Sequence, residues 1–540
     1  MAGKLAKVAE DSARSGFFLI SGTALSTVIL AIGSILTGRF LGPELYGQYT
    51  LALVVPTLLL TFTDLGISQG ITKFTASLKA KDETERLARI IRYGLMIKAL
   101  AGIAIFTINY VFAEQFASFF LQRIDLAFYI QIASTAILFH VMFGTATSAF
   151  LGLDKTEYNA ITANIQALAK TIISISLVLL GFGVAGALVG YVAGYAIAAI
   201  AAMAILFLLI NEKQAVKNDY TISDDLKSLL RYGAPLYLSV LLASFLSLYQ
   251  SFILALFTSD ADIGNFKAAG NFTQLVAVLS GPITTALLPA FSKLDSETGN
   301  KIRVFFKLAN KYTAMIILPT AFLLILLSSE IVETVYGSTY QTASLFLALF
   351  CLTYLLVGLG YLALSSFFNG LGETKTTLKM SIISLIVLVI LSPILTKMYN
   401  VPGLIIATFL ASAATTIYGS YTARRNFQIE FGIRIIFRIY LISAISNFPP
   451  FLVLYFTHLP ALFGAIIGGL LYLITYATLT PLAGIVTIPE IQMARHVTQE
   501  MPLLRLLAKP LLKYEENILH KTANKQRKDQ QPSKSTRETS

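Results

Sequence analysis

The chain contains ITANIQALAKTIISISLVLLGFGVAGALVGYVAGYAIAAIAAMAILFLLI at residues 161–210, fifty residues with a single charged side chain, Lys170. A helix needs about 20 apolar residues to cross a hydrocarbon layer of about 30 Å. The segment is therefore long enough for two membrane spans. Three glycines between positions 181 and 186 predict a tight turn near its middle. We interpret the segment as two consecutive spans that meet at these glycines.

The same apolar character extends over the whole chain. Of its 540 residues, 56% are hydrophobic and 13% are charged, whereas soluble domains carry about 25% charged residues. We therefore predict an all-α integral membrane protein with about 14 transmembrane helices. The predicted spans are 16–38, 47–67, 90–111, 127–150, 161–181, 185–210, 233–257, 267–290, 311–328, 343–368, 377–397, 401–422, 435–457 and 461–486.

Lysine and arginine are distributed asymmetrically between the loops. With the N-terminus in the cytoplasm, most of the 41 Lys and Arg residues fall on the cytoplasmic side. The outer loops then hold Arg39, Arg123, Lys267 and Lys397. This positive-inside bias predicts a multi-pass protein of the cell membrane with both termini cytoplasmic. Topology and attraction to anionic lipid explain the net charge of +12, which requires no nucleic-acid partner.

The two halves of the chain resemble each other at a nearly constant offset along the sequence. The matched positions are Gly47 with Gly264, Tyr49 with Phe266, Phe150 with Phe368, Gly152 with Gly370, and Gly186 with Gly403. A repeat of six spans leaves both copies in the same orientation. Two parallel six-helix repeats around a central cavity are typical of secondary transporters, in which access to the site alternates between the two faces.

The repeat and the loops together predict the domain organisation. We expect a cytoplasmic N-terminus (1–15), a first six-helix bundle (16–210), a cytoplasmic linker (211–232), a second six-helix bundle (233–422), two additional transmembrane helices (435–486) and a basic cytoplasmic tail, amphipathic and then disordered (487–540). The first apolar run is too long for the h-region of a signal peptide, so we interpret it as a retained span.

The sequence motifs of soluble catalysis are missing. The chain has no phosphate-binding GxxxxGK[ST] loop, no HExxH and no GxSxG. Cys351 is the single cysteine, and the four histidines have no metal-ligand spacing. We therefore predict a protein that is not an enzyme and that has no cofactor and no metal site.

Polar side chains within the predicted spans mark a candidate substrate path, because ionisable groups in a membrane usually face the bundle interior or a water-filled cavity. The candidate substrate-binding residues are Lys170, Lys98, Arg39, His140, Gln250 and Asn271, and Asp64 is the candidate ion-coupling acid. At the offset of the repeat, Lys170 and Lys98 correspond to Val387 and Met315. We therefore expect cations at membrane depth in the first copy only, as an anionic headgroup bound there would require.

Each candidate also has a purely structural interpretation. The alternatives are an interfacial position for Arg39, an ion pair with Lys73 or Arg89 or a helix cap for Asp64, interhelical hydrogen bonds for Gln250 and Asn271, and a satisfied bundle histidine for His140. Lys170 lies too deep in its span for its ammonium group to reach the interface easily.

The segment RFLGPELYGQYTLALVVPTLLLTFTDLGISQGITKF (39–74) and the loops FLGLDKT and FNGLGET resemble the polysaccharide-biosynthesis, O-antigen-type flippase family. That family belongs to the multidrug/oligosaccharidyl-lipid/polysaccharide exporter superfamily, and the resemblance covers roughly residues 14–486. It implies outward transport of an oligosaccharide linked to a polyprenyl (pyro)phosphate, with membrane lipid, glycan-assembly enzymes and a coupling ion (Na⁺ or H⁺) as partners. The family's cationic cavity maps onto Lys98, Lys170 and Arg39, with Lys311 in the second half.

Other functions stay open at this point. A cation-coupled multidrug antiporter of the same superfamily would need membrane carboxylates, and Asp64 is the one candidate coupling acid in the predicted spans. A peptidoglycan-precursor flippase would share the architecture, although its family usually has more arginines in the cavity. A non-transporting scaffold and a membrane enzyme complete the alternatives.

Overall fold

The computed structural model describes residues 2–81, 83–211, 237, 241, 244–246, 248–294, 299–457, 459–499, 509–510 and 512–519. Within these residues the chain is helical and contains no β-strand. The predicted all-α fold class is therefore confirmed.

Short connections join the principal helices, apart from the stretch between 211 and 244, most of which lies outside the described residues. Numbered along the chain, they are α1 (Ala2–Ala52), α2 (Val54–Thr61), α3 (Ile67–Ala80), α4 (Thr84–Val111), α5 (Ala113–Phe116), α6 (Ala127–Ser134), α7 (Ala136–Gly152), α8 (Thr156–Leu177), α9 (Gly183–Asn211), α10 (Ser244–Phe257), α11 (Asp260–Leu294), α12 (Gly299–Leu326), α13 (Ser328–Tyr336), α14 (Ala343–Tyr354), α15 (Leu364–Gly370), α16 (Thr374–Phe427), α17 (Ile433–Ile445), α18 (Phe448–Thr457), α19 (Ala461–Leu482) and α20 (Ile488–Gln499).

Nine helical segments of the described residues are long and apolar enough to cross a membrane, or ten if the bent pair Ala343–Leu359 and Leu364–Gly370 counts as one span. Three of the nine are far longer than one crossing requires, namely Ser21–Thr61 (41 residues), Thr156–Ile210 (55) and Thr374–Phe427 (54). The chain is thus a multi-pass membrane protein.

A residue with positive φ interrupts each of the three long segments at the boundary between two predicted spans. The φ angles are 75° at Gly42, 90° at Gly181 and 53° at Asn400. Glycine reaches such angles without a Cβ penalty. Each segment is therefore long enough, and broken at a suitable place, for two crossings. The total of fourteen stays a prediction, because the predicted span 233–257 lies partly outside the described residues.

Local backbone conformation recurs with the sequence repeat. Gly183 (φ 51°, ψ −133°) and Asn400 (φ 53°, ψ −141°) adopt nearly the same unusual conformation and occupy equivalent positions in the two copies. The Lys155 amide donates to the Phe150 carbonyl at 2.8 Å, and the Glu373 amide donates to the Phe368 carbonyl at 2.8 Å in the equivalent turn of the second copy. The matching sequences thus form matching turns.

The helices divide into two compact units. The first comprises Met1–Asn271, Val335–Ala343 and Val389–Leu404, and the second comprises Phe272–Thr334, Ser344–Leu388 and Ile405–Ser540. In the first unit, α3, α4, α7 and α9 bury Ile67, Ile91, Phe150 and Met203 against one another. Lipid is as apolar as these side chains, so close van der Waals packing, rather than transfer from water, stabilises their association.

Two glycines bring the backbones of α1 and α11 together in the first unit. A Cβ on Gly47 would lie 1.9 Å from the carbonyl oxygen of Asp260, and a Cβ on Gly264 would lie 1.9 Å from that of Pro43. Positions 47 and 264 are equivalent in the two copies, and so are positions 43 and 260. The crossing is therefore symmetric in sequence, and the repeated glycines are explained by backbone approach.

Aromatic side chains dominate the core of the second unit. Phe367 packs edge-on against Phe291 and Phe306, with ring centroids 5.3 and 5.2 Å away, and Phe306 lies 5.3 Å from Phe431. This edge-to-face geometry is favoured by the ring quadrupole. The cluster fixes the loop after α16 against α11 and α12.

Candidate functional site

A buried ion pair lies inside the first unit. The Lys98 ammonium on α4 is 2.9 Å from Asp64 Oδ1, and the two side chains are 5% and 25% exposed. Lys98 also donates to Ser68 Oγ at 2.7 Å, and the Ser68 amide donates to Asp64 Oδ1 at 3.1 Å. Positive φ at Leu65 (47°) and Gly66 (81°) turns the chain between α2 and α3 and directs Asp64 to this position.

This pairing changes the interpretation of both residues. The expected partners of Asp64 were Lys73 or Arg89, but the structure pairs it with Lys98. Since opposite charges in contact compensate each other, Lys98 is not an uncompensated cation. The alternative of a helix cap is partly met, because Asp64 accepts the amide of Ser68 in the first turn of α3.

His140 extends the polar interior toward a group of tyrosines. Its ring centroid lies 4.6 Å from that of Tyr195 on α9, and Tyr195 in turn lies 5.1 Å from Tyr191. His140 is also within electrostatic range of Lys98 and Asp64. The histidine thus connects the ion pair to the aromatic group.

Lys170 lies against the same tyrosines. Its Nζ is 5.1 Å from the centroid of the Tyr191 ring, within the range of a cation–π interaction. A Cβ on Gly194 would lie 2.6 Å from Lys170 Cβ, so this glycine permits the close approach of α9 to α8 that brings the ring and the ammonium group together. In the described part of the chain, Lys170 has no carboxylate partner.

Lys267 is a second cation of this interior. It lies two turns inside α11 and is half-buried. The structure therefore places Lys267 in a helix and not in a loop, contrary to its assignment to an outer loop. The expectation that only the first copy has cations at membrane depth stays a prediction. The helix starts at Asp260 because Ser259 and Asp262 form an N-terminal cap: the Asp262 amide donates to Ser259 Oγ at 3.2 Å.

Asn271, one turn after Lys267, ties α11 to α1. Its Nδ2 donates to Ser34 Oγ at 3.1 Å, to Tyr46 Oη at 3.1 Å and to Tyr336 Oη at 2.8 Å. Interhelical hydrogen bonding thus occupies Asn271, as its structural interpretation predicted. The neighbour of Ser34 contacts α8 beside Lys170, since a Cβ on Gly33 would lie 2.2 Å from Thr171 Oγ1. These contacts place Lys267 and Lys170 around the same part of α1.

Three other predicted cations or polar groups lie away from this interior or are compensated. Arg39 is exposed and donates to the Val335 carbonyl at 3.1 Å, which fits its interfacial interpretation. Gln250 is half-buried on α10. In the second unit, Lys311 pairs with Glu490 at 2.6 Å, so it is not an available cavity cation.

Glu490 belongs to α20, after the last candidate span. Burial raises the pKa of its carboxyl, but hydrogen bonds from Lys311, Thr487 and Tyr312 outweigh burial and hold that pKa below its usual value. The carboxylate therefore stays ionised and keeps Lys311 neutralised.

The interior of the first unit thus has two parts with different chemistry. In one, Lys98 and Asp64 neutralise each other; in the other, Lys170 lies beside Tyr191, and neither Lys170 nor Lys267 has a carboxylate partner among the described residues. No group of three His, Cys, Asp or Glu side chains in the described part of the chain is arranged to hold a metal ion. The second part is suited to an anion.

The profile of polysaccharide biosynthesis proteins matches residues 12–295, more than half of the chain. This chain belongs to the polysaccharide biosynthesis protein family. The recognition of that family from residues 39–74 and the two glycine loops is confirmed. The family match includes the whole polar interior just described, from Asp64 to Asn271.

Individual relatives agree with this assignment. The probable low-salt glycan biosynthesis flippase Agl15 of Haloferax volcanii is 21% identical over 207 residues, which are 38% of this chain and 43% of that protein. The chain therefore matches less than half the length of this curated relative.

Solved structures show the same fold. The inward closed conformation of the lipid II flippase MurJ superposes with a TM-score of 0.69 at 20% identity, covering 86% of this chain and 99% of MurJ. The inward-facing conformation of a multidrug resistance MATE family transporter of the MOP superfamily gives a TM-score of 0.60 at 19% identity, covering 76% and 98%. This chain therefore has the fold of these transporters.

Lys267 and the tyrosines at 191 and 195 were missed as site residues. The capping sequence Ser259-Asp-Ala-Asp262 was a usable signal, because it predicts a helix start that places Lys267 two turns inside α11. No comparable signal marked the tyrosines. Their role follows from the position of Lys170 on a neighbouring helix.

Proposed function

We propose that this protein moves an oligosaccharide linked to a polyprenyl phosphate or pyrophosphate from the inner to the outer leaflet, for polysaccharide or glycan assembly. Transport would proceed by alternating access and without catalysis of a covalent step. Membership of the polysaccharide biosynthesis family, the named glycan flippase relative and the MurJ-like fold support this function.

The observation that carries the proposal is Lys170 beside Tyr191, with Lys267 on α11 as a second cation that has no carboxylate partner among the described residues. A buried cation is costly within a membrane unless an anion or an aqueous cavity compensates it. A phosphate group supplies that anion through charge-assisted hydrogen bonds. The flat tyrosine rings offer apolar faces to a sugar.

The proposal assigns different roles to the predicted site residues. Lys170 and Lys267 bind the phosphate, and His140 lies against Tyr195 of the neighbouring aromatic group. Asp64, held by Lys98, is the candidate group for coupling to H⁺ or Na⁺. Arg39, Gln250 and Asn271 position helices. In the cell membrane, both termini would be cytoplasmic, and the enzymes that assemble the glycan would deliver and receive the substrate.

Glycan export in a strain lacking the gene tests the role of Lys170. We expect Lys170→Ala to reduce export at least about tenfold, since loss of one charge-assisted contact to phosphate removes roughly 1.5–3 kcal/mol. Lys170→Arg should keep a substantial fraction of export. Lys397→Ala is the matched control, because it removes an exposed lysine. Membrane abundance is measured for every variant.

Full export by the Lys170→Ala variant at normal abundance would contradict the proposed role. A cation-coupled multidrug antiporter is the competing function, favoured by the similarity to the MATE fold. It predicts extrusion of cationic dyes from vesicles that contain the protein. We expect no such extrusion, because the positive charge of Lys170, which has no carboxylate partner among the described residues, repels a cationic dye.

A further inference from the structure

Basic side chains surround the connector between α16 and α17 in the second unit. We call them the basic belt, and they are Arg303, Lys307, Arg424, Arg425, Arg434 and Arg438. All are exposed except Arg303, which is half-buried. From 424 to 438, Glu430 is the one acidic residue. The belt thus carries a clear excess of positive charge.

Contacts within the belt hold it in a defined shape. Arg303 Nε donates to the Phe427 carbonyl at 3.2 Å, and the Arg424 guanidinium lies 5.5 Å from the Phe431 ring centroid. Gly432, with φ 64°, lies against Lys307: a Cβ there would be 3.3 Å from Lys307 Cε. The connector is therefore packed against α12 and the end of α16, and these contacts bring Arg303, Lys307 and Arg424 to the same connector.

Protein groups compensate little of this charge. Glu430 lies 3.8 Å from Lys307, and its side chain is 79% exposed. Arg425 donates to the Tyr421 hydroxyl at 3.3 Å, an uncharged partner. The side chain of Arg434 forms no hydrogen bond or ion pair with any described residue. The belt therefore retains donors for an external anion.

Exposed apolar side chains on α17 indicate how deep the basic belt lies in the membrane. This helix opens the candidate span Ile433–Thr457. In its first two turns Ile433 and Phe437 are 63% and 64% exposed, next to Arg434 and Arg438. Exposed apolar groups at the start of a span face hydrocarbon, while arginine side chains extend to the headgroups. The guanidinium groups therefore lie at the level of lipid phosphates.

We propose that the basic belt binds the headgroup of an anionic phospholipid from the leaflet that it contacts. A guanidinium group matches phosphate through paired N–H donors, which an ammonium group does not provide. Arg425 and Arg434 supply these donors, and the apolar start of α17 contacts the acyl chains. This site lies in the second unit and is separate from the Lys170 interior of the first.

Native mass spectrometry of the full-length protein, titrated with phosphatidylglycerol or phosphatidylcholine, tests this site. We expect the Arg425→Gln/Arg434→Gln double variant to bind phosphatidylglycerol roughly 10- to 30-fold more weakly, given the usual contribution of each of the two basic side chains near an anionic surface. Binding of phosphatidylcholine should not change. Thermal melting of the same samples verifies folding.

The matched control is Lys375→Gln/Lys379→Gln, which removes two exposed charges at the start of α16, outside the belt. We expect it to keep wild-type affinity for phosphatidylglycerol. Equal losses in both double variants would overturn the proposal, because general electrostatic attraction would then account for binding. Equal wild-type affinity for the two lipids would overturn it as well.

Discussion

At the scale of single residues, the lysines of the spans differ in what compensates them. Lys98 contacts a carboxylate, whereas Lys170 contacts a tyrosine ring and is repelled by Lys267. The same side-chain type therefore stabilises the fold at one position and is available to a ligand at another. This difference leads to a prediction about stability.

Removing only the Asp64 carboxylate from its ion pair with Lys98 should destabilise the protein more than replacing both residues with apolar side chains. Asp64→Asn leaves the ammonium of Lys98 buried without its counter-charge, at a cost of about 3 kcal/mol. The double variant Asp64→Leu/Lys98→Met removes both charges and should restore most of this loss. Thermal melting of the purified protein in one detergent measures the effect.

Lys170→Met serves as the comparison, because it removes a cation that has no carboxylate partner among the described residues. We expect its melting temperature to match or exceed that of the wild type. If the Asp64→Leu/Lys98→Met variant melted as low as the Asp64→Asn variant, the unpaired ammonium of Lys98 would not be the reason for the instability.

At the scale of elements, glycines determine how closely helices approach. The crossing of α1 and α11 depends on Gly47 and Gly264, which occupy equivalent positions in the two copies. The repeat thus preserves a packing requirement, and it preserves the turn conformation at Gly183 and Asn400 as well.

Replacing either crossing glycine should destabilise the first unit. Gly47→Ala and Gly264→Ala each put a methyl group 1.9 Å from a carbonyl oxygen, so the helices must move apart. We expect a loss of about 1–3 kcal/mol for each, as is usual for an overpacked site. Thermal melting and the yield of folded protein measure this loss.

Gly270→Ala provides the control on the same helix, since a Cβ there would meet no atom within 4 Å. It should be neutral or slightly stabilising, because alanine favours a helix over glycine by about 1 kcal/mol. Equal melting temperatures for the Gly264→Ala and Gly270→Ala variants would show that the close crossing is not required.

At the scale of the whole molecule, the distribution of charge predicts the orientation in the membrane. The bias in lysine and arginine predicts that both termini are cytoplasmic. Cys351 is the single cysteine and is buried. A Cys351→Ala background therefore permits labelling of introduced cysteines from one side at a time.

In that background, we expect a membrane-impermeant maleimide added to intact cells to label a Ser118→Cys variant. It should label an Asn426→Cys variant only after the membrane is opened, because that position lies among the basic residues after α16. Both side chains are exposed, so access within the protein is matched. Labelling of both positions in intact cells, or the reverse order, would contradict the predicted topology.

The sequence by itself determined the helical membrane fold and the family, and it predicted the six-span repeat. Those properties depend on local features: the length of apolar runs, the spacing of glycine turns and short motifs at a constant offset. Even the breaks in the long helices could be predicted, because glycines or predicted span boundaries mark them.

Only the tertiary structure decided which polar groups belong together. Asp64 compensates Lys98, and Glu490 compensates Lys311, although the partners are far apart in the sequence. Lys267 belongs to the candidate site together with Lys170 because α11 begins at Asp260, two turns before this lysine. A charged residue within an apolar run marks a candidate site in the sequence. Whether that residue is neutralised or is available to a ligand depends on the side chains that other helices place beside it. The contacts therefore reduce the candidate site from scattered polar residues to Lys170, which lies beside the Tyr191 ring, and Lys267 on α11.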